Sequence, residues 1–318
     1  MLVVCSQRDS VLLPAGGTAG RVSVLQRDVL QSYTSLEDFL TDAPKTLMFW
    51  FFQRRMSFLS QKTMQKWSRD RLDDYVLLPA TNGFVTRTLC FFVSHFWHTK
   101  DDPDPNGKYL RLLQDTLRPQ TWLYIWLDWT CAPQHPRTQV EQAYFLRTLQ
   151  SVSGIIRNSG FVWYYPPFEP RLWILYEVAE YTLTCDGGLE SITTANMRTF
   201  EDHVKEMLQI GVGPMLAKHG YRCTYEHDMK FLTSWLECLV VFKKLNIDIF
   251  DIRVLLDHMT WRQTAKELPV QTIKGRMKLR RYEGTFEFLG ELHMFTPFPQ
   301  SRKTDNEFAN NEVGTLKR

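Results

Sequence analysis

Three continuous apolar runs, each followed by an amphipathic stretch, set the texture of the middle of the chain. Thr88 to Ser94 (TLCFFVS), Thr121 to Trp129 (TWLYIWLDW) and Gly160 to Tyr165 (GFVWYY) have strand length. Lys108 to Leu117 carries leucines at 110, 112, 113 and 117 and reads as a helix that Pro119 stops. A loop with Cys131, Pro133 and Pro136 leads into a second helix, Gln139 to Ser151, and Leu172 to Tyr181 forms a third. Strand and helix alternating at this spacing predict a parallel sheet covered on both faces, whose strands are apolar throughout. Weaker strands are expected at Leu189 to Thr193 and Tyr221 to Tyr225, with helices at Met197 to Leu208 and Asp228 to Lys244.

The flanks have a different pattern. Residues 1 to 34, with Pro14 and the Gly16-Gly17 pair, read as an extended or disordered lead. Ser35 before Glu37 and Asp38 is a helix start. Met48 to Arg71 reads as a basic helix, so 35 to 87 form a helical extension before a break at Pro79 to Gly83. The α/β domain then covers 88 to 245. Residues 246 to 299, with a basic patch at Lys274 to Arg281, form a C-terminal elaboration, and 300 to 318 a disordered tail. No internal repeat is apparent.

Composition narrows the class. The chain is 44% hydrophobic and 14% aromatic, enough for a packed core. A net charge of +3 is too mild to imply a nucleic-acid partner. The six scattered cysteines include no C-x-x-C pair, which predicts reduced thiols in a cytoplasmic protein. The N-terminus lacks the pattern of a signal peptide. The densest apolar run, Leu47 to Phe52, is too short for a transmembrane segment.

Ligands of open parallel sheets bind at the carboxyl ends of the strands. Three segments converge there: His95 to Asp104, Asp128 to His135 and Tyr164 to Arg171. Within them and the following helix, an apolar strand ends in Ser94, His95 and Trp97, and a second strand ends in Asp128. A third leads to Trp173-Ile174-Leu175-Tyr176-Glu177-Val178, a Trp followed four residues on by Glu. This order resembles the TIR-domain superfamily over roughly residues 88 to 245. It is also similar to divergent TIR-like proteins with an S-H-x-W then D-P-D-x-x-G signature, here Ser94, His95, Trp97, Asp102, Pro103, Asp104 and Gly107.

The resemblance implies a flavodoxin-type open parallel sheet with helices on both faces. It also implies one of two functions. Some TIR domains cleave the nicotinamide–ribose bond of NAD in intracellular signalling, and their essential glutamate maps to Glu177. A fixed carboxylate there would stabilise the oxocarbenium-like charge of that cleavage. No general acid is needed, because the nicotinamide leaves from a cationic state. Ser94, His95, Trp97, Asp128 and Trp173 would line the NAD site, with NAD as substrate and no prosthetic group. Other TIR domains are catalytically silent interaction modules that self-associate or bind other TIR-like domains. One departure favours the second: Phe96 stands where the family often has Arg, leaving Arg171 or Lys100 to supply a cation.

Each of these residues has a plainer reading. Glu177 suits a solvated helix face and Trp173 suits core packing. His95 and His98 with Asp101, Asp102 and Asp104 invite a metal, but the spacing of the two histidines off a strand does not put them on one face, and none is expected. The stretch from Asp101 to Gly107 is rich in turn formers. Cys131 with His95 and Asp128 has the composition of a nucleophile set, or Cys131 is a small apolar thiol under a Pro-rich loop. The basic residues from Arg54 to Arg71 would serve an acidic surface or simply solvation.

Overall fold

The computed structural model describes residues 35–42, 48–80, 84–95, 97–99, 101–164, 168–185, 190–191 and 197–300. Its centre is a six-stranded mixed sheet in the order β2-β1-β4-β3-β5-β6. Strands β3 (Cys90–His95), β4 (Tyr124–Trp126), β5 (Gly160–Tyr164) and β6 (Glu190–Ser191) are parallel. Strands β1 (Phe49–Arg54) and β2 (Tyr75–Pro79) extend the sheet antiparallel beyond β4. The parallel part therefore runs second, first, third, fourth in chain order.

Successive residues of a strand face opposite sides, and this divides the apolar runs between two cores. Phe91, Val93, Ile125 and Val162 pack on one side with Leu110, Leu113 and Leu117 of α3 (Lys108–Leu117) and Phe58 of α2 (Arg55–Ser60). Cys90, Phe92, Trp126, Phe161 and Trp163 pack on the other, under α5 (Gln139–Asn158), α6 (Leu172–Thr184) and α7 (Met197–Ile210). Helix α1 (Leu36–Asp42) joins this second core through Phe39 and Leu40, with Ser35 Oγ capping Asp38 N at 3.0 Å. Gly154 lets α5 lie close to β1, since a Cβ there would sit 3.0 Å from the Trp50 ring.

The segment from Met48 to Arg71 is not the basic helix its charges suggest. Phe49 to Phe52 are all buried in β1, where aromatic side chains fit a pleated surface better than a helix. Phe51 makes edge contacts to Trp67, Tyr75 and Tyr144. The basic groups go separate ways. Arg54 donates to Tyr75 O at 3.2 Å, Arg55 to Arg118 O at 2.8 Å, and Arg69 pairs with Glu37 and Glu141. A 3₁₀ turn, Arg69–Asp74, then leads into β2.

Other boundaries also move. The second apolar run gives a strand of only three residues, because the chain turns after Leu127 into a single-turn helix α4 (Asp128–Cys131). Helix α5 continues to Asn158 instead of ending at Ser151. Tyr221 to Tyr225 forms no strand beyond a single bridge between Arg171 and Arg222.

Helices α8 (Val212–His219), α9 (Glu226–Lys244) and α10 (Ile249–Trp261) follow. The chain ends its described part in an antiparallel meander, β7 (Glu267–Gln271), β8 (Arg276–Arg280), β9 (Thr285–Phe288) and β10 (Glu291–Met294). Residues 246–300 pack back on the helices: Leu268, Met277, Leu279 and Phe286 share one core with α9 and α10. Within the basic patch, Lys278 and Arg280 are paired to Glu267, Arg280 also lies near Glu287, and Arg281 donates to the carbonyls of Met259 and Gln263.

A charged cluster is sealed between four helices. Arg157 of α5, fully buried, donates to Asp257 of α10 at 2.5 and 2.9 Å and to Glu180 of α6 at 3.1 Å. Trp235 of α9 donates to the second oxygen of Glu180 at 2.6 Å. Among the described residues no helix is long and apolar enough to cross a membrane. The five described cysteines are free thiols.

Candidate functional site

Strand β3 delivers Ser94 and His95 to the carboxyl edge of the parallel sheet, in register with Trp163 and Tyr164 of β5. Alternation sends Ser94 toward the α6 side, and there its hydroxyl donates to Glu177 Oε2. Trp97 leaves the strand and donates its indole N–H to Asp128 Oδ2 at 3.0 Å. His95 Nε2 lies 3.2 Å from Asp128 Oδ1. Asp128 also accepts from its neighbour Trp129 N at 2.6 Å, and Gln134 holds its carbonyl at 2.7 Å. Five of the six expected residues, Ser94, His95, Trp97, Asp128 and Glu177, thus gather at one edge.

Trp173 stands apart from that hydrogen-bonded set. Its indole donates to Asp228 of α9 at 3.1 Å, and its ring meets Tyr176 edge-on. It lies one turn before Glu177 on α6 and packs against the larger core.

Glu177 is the electrostatic centre of the site. It is half-buried, and among the described residues no cation pairs with it. Burial lifts its carboxyl to about 8; the nearby charge of Asp128 pushes in the same direction, while the Ser94 hydroxyl opposes both. The aromatic wall is continuous: His95 stacks beside Trp97, and Trp97 meets Trp129 edge-on at 5.2 Å. Lys66 lies over the Trp129 ring at 5.5 Å.

The crowded turn after β3 divides in two. Its first half, Ser94 to Trp97, belongs to the site. Its second half builds the start of α3. Asp104, 4% exposed, accepts from Tyr109 N at 3.2 Å and Leu110 N at 2.8 Å, and Asp102 holds Asp104 N at 2.8 Å. Gly107 takes φ of +61°, which only glycine adopts without strain. His98 stacks on Tyr109 at 4.7 Å, and the Asp104 carboxylate caps the start of α3.

Cys131 packs as a small apolar thiol in the core. It is buried, its thiol donates to Ile125 O at 3.4 Å, and burial pushes it up to about 11. Arg171 is paired with Glu169 at 3.0 Å on the surface. Phe96 and Lys100 lie outside the described residues.

Gln134 is part of the site although no spacing in the sequence marks it. A second polar cluster, absent from the sequence-based expectations, is formed by His203, Glu206 and His219. The signal for that one was present: His and Glu three apart on a helix share a face. Comparison with protein-family models, curated proteins and solved structures finds no match to this chain.

Proposed function

We propose that this chain carries a TIR-like domain that hydrolyses NAD, with Glu177 as the catalytic carboxylate. The observation that carries this reading is Glu177 itself: a carboxylate at the sheet edge, lifted to about 8, within the influence of Asp128 and, among the described residues, paired with no cation. Such a site favours a ligand that brings positive charge. NAD carries that charge on the nicotinamide ring, and bond breaking moves it onto the ribose.

Heterolysis sends the glycosidic electron pair to the ring nitrogen, and neutral nicotinamide leaves. The oxocarbenium-like ribose is stabilised by ionised Glu177. Water then adds at the same carbon and loses a proton, giving ADP-ribose. A carboxylate with a raised pKa is also a competent base for that water near neutral pH. Ser94 holds Glu177 in place, and Asp128 is held by Trp97, His95 and Gln134. Trp97, partly exposed at the rim, offers a face for stacking. The strand order second, first, third, fourth supports the flavodoxin-type topology, with the site at the edge where such sheets take ligands.

Release of nicotinamide from NAD by concentrated full-length protein tests this. Release that disappears in Glu177→Gln is expected. Equal release from the variant, or none from folded and concentrated wild type, overturns it. The second reading, a silent module that self-associates or binds TIR-like domains, is favoured by a separate observation. Ile273, Leu289, Leu292 and Met294 are exposed on the meander, with the β7–β8 and β9–β10 turns at one end.

A further inference from the structure

A second polar cluster, which shares no residue with the first, lies where α7 meets the end of α8. His203 and Glu206 are three residues apart on α7 and project from one face. His219 closes α8, and its ring stacks on His203 with centroids 3.7 Å apart and planes inclined by 29°. His219 Nε2 lies 2.7 Å from Glu206 Oε2. One ligand atom from each of the three residues lies within 4.8 Å of the others.

We propose that His203, Glu206 and His219 bind a divalent transition-metal ion, zinc by preference. Two imidazole nitrogens and a carboxylate oxygen are a borderline donor set suited to zinc. Magnesium and calcium take oxygen ligands, so this set disfavours them. Two imidazoles face to face, with a carboxylate at their edge, are what a shared cation holds together.

The surroundings have the form of support for metal ligands. The Tyr221 hydroxyl sits 2.8 Å from His203 Nδ1, which fixes that ring and assigns Nε2 to the ion. Phe168 packs edge-on against His203 and restricts it further. Lys218 Nζ holds Glu206 Oε1 at 2.5 Å, leaving Oε2 on the side of His219. Bound zinc replaces the contact between His219 Nε2 and Glu206 Oε2. Tetrahedral ligands at zinc distances lie about 3.4 Å apart, so small side-chain rotations close the set. Three protein ligands leave a fourth position for water.

The test is zinc titration of the chelator-treated full chain by calorimetry, with the visible spectrum of cobalt as a second readout. One equivalent of zinc is expected at micromolar concentration, with the intense bands of tetrahedral cobalt. His219→Asn and Glu206→Gln should weaken uptake by more than about a hundredfold, and Tyr221→Phe by about tenfold. Both ligand residues are partly exposed, so these variants keep the fold, checked by circular dichroism. His227→Ala should bind as wild type does. No uptake by folded wild type overturns the proposal. So does unchanged binding in His219→Asn and Glu206→Gln, or an equal loss in His227→Ala.

Discussion

Glu177 and Glu180 stand on one helix, less than a turn apart, and the protein treats them oppositely. Burial raises both carboxyls. Glu180 is answered: Arg157 and Trp235 reach its two oxygens, and Asp257 balances the arginine. Glu177 is left with a hydroxyl and a second carboxylate nearby. A buried charge that is fully paired fixes helices against each other. One left without a cation among the described residues takes up a proton more readily, and its ionised form is favoured by a ligand that supplies positive charge. The difference teaches which of two similar residues to suspect of chemistry.

The largest effect should come from breaking the paired side. Arg157→Met leaves Glu180 and Asp257 buried without their cation, and should destabilise the fold by about 3 to 5 kcal/mol. Denaturant unfolding at neutral pH measures it. A loss under about 1 kcal/mol would mean that the cluster is not the structural lock described.

The second effect has the opposite sign. Glu177→Gln should stabilise the protein at alkaline pH. A carboxyl raised from 4.5 to about 8 binds more protons folded than unfolded, so its contribution is fully present below 4.5 and is lost as pH rises to about 8. The stability gap between variant and wild type should therefore widen across that window. Its slope should fall below the limiting value of about 1.4 kcal/mol per pH unit, because Glu177 keeps some solvent. A gap flat with pH would contradict the account.

Finer changes separate the neighbours. Asp128→Asn removes a negative charge and should lower the Glu177 carboxyl, whereas Ser94→Ala removes its hydrogen-bond donor and should raise it. The midpoint of the same stability gap reads both shifts, and equal or same-direction shifts would refute these assignments. Smallest is Asp104→Ala, which uncaps α3 without touching the site. It should cost about 1 kcal/mol and leave any nicotinamide release unchanged.

Much of this was legible in the chain. The runs around Phe92, Ile125 and Val162 are apolar through and through, so their burial on both sides could be read directly. The Trp173 to Glu177 spacing pointed to a carboxylate that the fold does bring beside Ser94 at the sheet edge, although Trp173 itself turns to Asp228. Strand β1 was hidden because its aromatic run is followed by many cations, and charge outweighed aromatic content in the reading. The sealed cluster was hidden for another reason. Arg157 and Asp257 are a hundred residues apart, and nothing local in the sequence links them. His219 reaches His203 through the turn between α7 and α8, which the pattern did not predict.

The most direct test of the central claim is the carboxyl titration of Glu177 by ¹³C NMR, assigned against Glu177→Gln, with and without a non-cleavable carbocyclic NAD analogue. The expected midpoint is near 8 in the protein alone, moving down when the cationic analogue binds. A midpoint near the ordinary 4.5, or one that the analogue leaves in place, would contradict it.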